Sequence, residues 1–82
     1  MVKLNSIEKM YLLSSSFTPS KTIEVLKSLK TVKNRVARVG LNETEKFKLN
    51  TALRKIKFKL LVKNKDKELL KISEMSDFLK NY

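Results

Sequence analysis

The chain has no cysteine, histidine or tryptophan, and only one glycine and one proline in 82 residues. Without cysteine no disulfide framework exists, and without cysteine or histidine the usual zinc sites are excluded. The same two absences remove the commonest acid–base group and the thiol nucleophile. One glycine is too few for a P-loop or a dinucleotide fingerprint. The longest uninterrupted apolar run is four residues, Met10-Tyr11-Leu12-Leu13, far short of a membrane span. The first residues carry no apolar stretch of a secretory signal. These absences predict a soluble intracellular protein, cytoplasmic or associated with a nucleoid or nucleus, not secreted, and without metal or cofactor.

Eight carboxylates remain as candidate catalysts. Glu43 with Glu45, and Asp66 with Glu68, are close in sequence, but residues two apart on a helix point to different sides. Both pairs also fall in expected first turns, where negative charge offsets the helix dipole. Ser14-Ser15-Ser16 reads as a plain loop. The chain is therefore read as non-catalytic.

What the sequence has in excess is positive charge, and the charge is concentrated. Between Lys27 and Lys67 lie fourteen Lys or Arg and three acids, a surplus equal to the net +11 of the whole chain. The segments before and after that block nearly balance. A concentrated positive block attracts a polyanion, of which nucleic acid is the commonest. Lysine outnumbers arginine sixteen to three, a bias that an AT-rich coding sequence also produces.

The apolar fraction of 41% is below the globular average, yet the apolar residues are patterned. Asn5, with Glu8 three residues on, predicts a capping box. Leu4, Ile7, Met10, Tyr11 and Leu13 make the stripe of a first helix over about 6–14. Thr18 and Pro19 open a second, over about 19–39, whose stripe is Val25, Leu29, Val32, Val36 and Val39. Gly40 sits where a left-handed residue ends a helix, and Leu41 is placed to pack back across that end. Asn42 and Glu45 form a second capping box, opening a third helix over about 43–62 with the stripe Leu49, Leu53, Ile56 and Leu60. Asn64 or Asp66 is placed to cap a last helix over about 66–81, with Leu69, Ile72, Met75 and Leu79. The expectation is an all-α fold, a bundle of three to four helices in a single basic domain, residues 1–82.

One segment carries a competing reading. Ile56, Phe58, Leu60 and Val62 alternate with period two, so the alternative is an α+β fold with a C-terminal hairpin over 56–72. The upstream cap and stripe favour helix. Phe47, Phe58 and Val62 then fall opposite the Leu49–Leu60 stripe, so the third helix is either buried on two faces or ends early. The two phenylalanines are expected in the core rather than as stacking platforms for single strands.

The candidate binding residues follow from the second and third helices. Lys27, Lys30, Asn34 and Arg38 face away from the apolar stripe of the second, with Lys33 and Arg35 flanking that stripe. Lys27 to Arg38 spans roughly 16 Å of helix, enough to follow several phosphates. A solvated face usually mixes signs to form i, i+4 pairs, and no acid interrupts Lys27 through Asn42. The third helix adds Arg54, Lys55, Lys57, Lys59 and Lys63. Folding is expected to bring these cations onto one exposed wall. A helix-turn-helix is excluded, because the stripe runs unbroken through Ser28–Thr31, where its turn would fall.

The leading expectation is a small nucleic-acid-binding protein that contacts phosphate backbone, DNA or RNA, alone or inside a larger assembly. The alternative is a small regulatory or inhibitor protein, of a phage type, that docks on a partner. It would use its basic helix on an acidic protein surface, or the Phe47–Val62 face in a groove. Exposure of that face would favour the second, and cover by a fourth helix the first. Attachment of the second helix to anionic lipid ranks last, since its apolar side is mostly valine and lacks an interfacial aromatic.

Overall fold

A computed structural model describes residues 5–81, and these form four helices with no strand among them: α1 (Ser6–Ser16), α2 (Thr22–Val39), α3 (Glu43–Val62) and α4 (Asp66–Lys80). A short 3-10 turn, Pro19–Lys21, leads into α2. The favoured helix forms, and the alternative hairpin over 56–72 is overturned. Ile56 and Leu60, with Leu49, Ala52 and Leu53, occupy one helical arc and are fully buried, and that arc outweighs the period-two pattern. Leu4, placed on the first stripe by its spacing, lies outside the described residues.

The core takes one arc from each helix. Ile7 and Met10 come from α1, Val25, Leu29, Val32 and Val36 from α2, and Ile72, Met75 and Leu79 from α4. Leu41 packs against it from the turn, and Leu69 from α4. One expectation is corrected here, and one core residue lies outside every stripe. Val39 is 70% exposed, because it is the last residue of α2 and the chain turns away beyond it. Phe17, the C-cap of α1, is fully buried and joins the core from the α1–α2 connection.

Helix ends follow local chemistry. The Asn42–Glu45 box is complete: the Glu45 amide donates to Asn42 Oδ1 at 2.8 Å and the Asn42 amide to Glu45 Oε1 at 3.3 Å. Asn5 makes only half a box, accepting from the Glu8 amide at 2.8 Å, because the Glu8 carboxylate is drawn to Lys48 at 2.8 Å instead. Gly40 has the expected positive φ of 85°, but its ψ of −170° puts it in a region open essentially to glycine rather than in the left-handed helical one. Neither Asn64 nor Asp66 caps α4, whose N-cap is Lys65. Asn64 is used earlier, at φ 53°, as the left-handed residue that ends α3. The Asn64 amide donates to Leu61 O and the Lys65 amide to Leu60 O, a Schellman motif.

Packing arranges the helices around that core. α1 and α4 each pack against both α2 and α3, whereas α2 and α3 are not packed along each other. Contacts from Asn5 to Glu45, Glu8 to Lys48 and Ser14 to Lys59 ascend together, so α1 and α3 run the same way. Ser6 lies beside Arg35 and Arg38, and Lys9 beside Lys27, so α2 runs opposite to α1. The radius of gyration, 12.0 Å, is that of a folded chain of this length, about 12 Å.

Replacing fully buried Ile56 by Ala should cost about 2–5 kcal/mol in urea unfolding, from lost burial plus the cavity left behind.

Candidate polyanion interface

The positions of the candidate cations follow from which arcs the core takes. On α2 the buried arc is Val25, Leu29, Val32 and Val36, so Lys27, Lys30, Asn34 and Arg38 lie opposite it, all exposed. None of these four makes an ion pair among the described residues. The nearest candidates on the flanks are engaged. Arg35 Nη2 meets Glu45 Oε2 at 2.9 Å, and Lys33 Nζ stands 5.4 Å from the centre of the Phe78 ring. The outer arc of α2 thus presents Lys27, Lys30 and Arg38 around neutral Asn34 with no acid of α2 between them, and Glu74 of α4 shares a depression with Lys30.

The α3 cations do not join it. Neighbouring residues on a helix are separated by about 100°, so Arg54, Lys55, Lys57 and Lys59 fan around both flanks of α3. Arg54 and Lys57 fall on the side of α4, around a shallow depression shared with Ser76. Lys55 falls on the side of α1, 5.4 Å from the Tyr11 ring centre. Lys59 Nζ donates to Ser14 O at 3.3 Å, placing its charge at the C-terminal end of α1, where the helix dipole favours it. Lys63 is the exposed C-cap of α3. Because α1 and α4 stand between α2 and α3, the expected single wall becomes two.

The outer arc of α3 is of a different kind. Phe47 is 70% exposed, Phe58 64%, Val62 79% and Leu61 47%. The expectation that Phe47 and Phe58 belong to the core is corrected, as is the choice between two buried faces and an early end. α3 runs its full length with one face in solvent, because α1 and α4 pack on its flanks and no fourth element reaches its back. Phe47 and Phe58 are eleven residues apart, roughly 16 Å along the helix. Arg54, Lys55 and Lys57 border the stripe, and no acid occurs from Lys46 through Lys65.

Three residues outside the expected set join the α2 wall. Ser6 and Lys9 of α1, with Thr31 of α2, line the seam between the two helices beside Lys27 and Arg38. Nothing in the spacing within either helix marks them, since the pairing of α1 with α2 is tertiary. No group of acidic side chains among the described residues is arranged to hold a metal ion. None of the described helices is long and apolar enough to cross a membrane. No protein-family model, curated protein or solved structure matches the chain.

Since Phe47 and Phe58 contribute little buried area, Phe47→Ala and Phe58→Ala should each change the unfolding free energy by no more than about 0.5 kcal/mol. A loss near that of Ile56→Ala would return them to the core.

Proposed function

We propose that the chain is a small non-catalytic protein that binds nucleic acid through its phosphate backbone on the outer wall of α2. One observation carries this: Lys27, Lys30, Asn34 and Arg38 share an exposed helical arc with no acid on it and no ion pair among the described residues. Four other cations are matched, Lys48 with Glu8, Arg35 with Glu45, and more loosely Lys71 with Glu74 and Lys80 with Asp77. Arg54, Lys55 and Lys57 of α3 also make no ion pair among the described residues, but they are spread over two flanks rather than along one arc. Charges left unmatched along 16 Å of rigid helix suit a regularly spaced polyanion. Backbone contact of this kind positions a strand without reading its bases, so the wall suits DNA and RNA alike.

A labelled oligonucleotide followed by fluorescence anisotropy across a salt series tests this. Affinity should fall steeply with salt. The triple variant Lys27→Gln, Lys30→Gln, Arg38→Gln should lower the slope of log K against log salt by about 2 to 3 for duplex DNA, weakening binding by about a hundredfold at 0.1 M salt. Salt-insensitive binding, or a variant that binds like wild type, rejects the phosphate model.

A second reading is favoured by the exposure of the α3 stripe, which meets the condition set above for a protein partner. Phe47, Phe58, Leu61 and Val62 between Arg54, Lys55 and Lys57 suit an acidic amphipathic helix of another protein, with apolar residues on one side and carboxylates at its edges. A second copy of this chain fits less well, because its own cations would meet like charges. After nuclease treatment, light scattering on a sizing column should give the 9.6 kDa monomer. A dimer that Phe47→Ser with Phe58→Ser abolishes would reassign the stripe to self-association.

A further inference from the structure

We propose that the seam between α1 and α2 seats a phosphodiester group of the bound strand, with Ser6 and Arg35 as its buried donors. The inference rests on the nucleic-acid reading of the α2 wall and extends that wall onto α1.

The seam is a groove because its floor residues are small. Ser6 of α1 shares its depressions with Ser28 and Thr31 of α2, and longer cations stand at the rim. Two depressions share Ser6 and Thr31 and so form one channel. Arg35 and Arg38, with Asn34, line one end, and Lys9 and Lys27 the other. No carboxylate lines either depression. Glu24 stands about one turn before Ser28 on α2, Glu8 beside Lys9 is engaged by Lys48, and Glu45 is engaged by Arg35 Nη2 and the Asn42 amide.

Two atoms along this channel are buried without a hydrogen-bond partner: Ser6 Oγ and Arg35 Nη1. Buried polar atoms are almost always satisfied, and an unsatisfied one calls for a missing acceptor. The guanidinium nitrogen only donates, and the hydroxyl can donate as well, so one acceptor group with two or more oxygens suits both once a side-chain rotation uncovers them. The guanidinium is well matched to that task. While Nη2 holds Glu45, the N–H groups of Nη1 remain for a charge-assisted bond to a phosphate oxygen. At the other end, Lys9 and Lys27 share a depression with no counter-charge, and a second phosphate there relieves their repulsion. Two cationic stations in one channel suit a repeating anion better than a single small one.

The test uses Ser6→Ala and Lys9→Gln in the anisotropy salt series, with backbone NMR of labelled protein titrated with oligonucleotide and, separately, with inorganic phosphate. Ser6→Ala should weaken strand binding about tenfold at every salt concentration without changing the slope, since it removes a donor but no charge. Lys9→Gln should lower the slope by about one. The Ser6 and Thr31 amide signals should shift on adding strand. Ser6→Ala should melt no lower than wild type, because its hydroxyl has no internal partner. If strand binding depends on Lys27, Lys30 and Arg38 but both seam variants match wild type, the seam assignment falls and the α2 wall stands. A Ser6→Ala protein that melts lower also overturns it. If no strand binds at low salt, both fall. Inorganic phosphate shifting these signals in that case would assign the seam to free phosphate instead.

Discussion

Every other feature depends on one constraint: four short helices share a single small core, and each can give it only one arc. Fully burying a Leu, Ile or Val contributes roughly 1.5–3 kcal/mol, whereas burying an unpaired ammonium costs more than such a contact returns. The regular stripes of α2, α3 and α4 therefore turn inward, and the long cationic side chains between them are forced outward. The same constraint explains the α3 surplus. Its inward arc is filled by Leu49, Ala52, Leu53, Ile56 and Leu60, so Phe47 and Phe58 have no second core to enter.

Glu45 shows how cations are sorted between structural and free roles. Its carboxylate closes the α3 capping box, takes Arg35 of α2 and lies 3.5 Å from the Asn5 amide group of α1. Three helix ends meet on one acid. Lys48 and Lys59 do similar work along α1, one against Glu8 and one against a backbone carbonyl. Part of the net charge of +11 is thus engaged in holding helices together. The part left over on α2 is smaller than composition suggests, but it is contiguous, and contiguity matters more for a polymer ligand than total charge.

Two outer walls of different character result. That of α2 is polar and cationic, with small residues opening a seam beside it. That of α3 is aromatic and aliphatic with a cationic border. Both favour anionic ligands, but only the second offers apolar area. Polymer binding on one and protein docking on the other are compatible, because α1 and α4 hold the two walls apart.

Much of the fold was legible from residue spacing. The four-three stripes located all four helices, Asn42 with Glu45 fixed the start of α3, and the acid-free run from Lys27 located the α2 wall. What failed did so where local chemistry had two uses for one residue. Asn64 resembles an N-cap, but a left-handed turn closing α3 claimed it. Phe17 belongs to no helical stripe, yet the α1–α2 connection folds it inward. Spacing within a helix states which side is apolar; it does not state which neighbours arrive to cover it. The sequence alone therefore determined the helices and their inward arcs, because these depend on residues three and four apart. Only the tertiary structure decided that the α3 aromatics stay in solvent, that α1 and α4 keep the α3 cations away from the α2 wall, and that Ser6 and Lys9 join the α2 cations. Each of those depends on how separate helices pack, which no periodicity within one helix encodes.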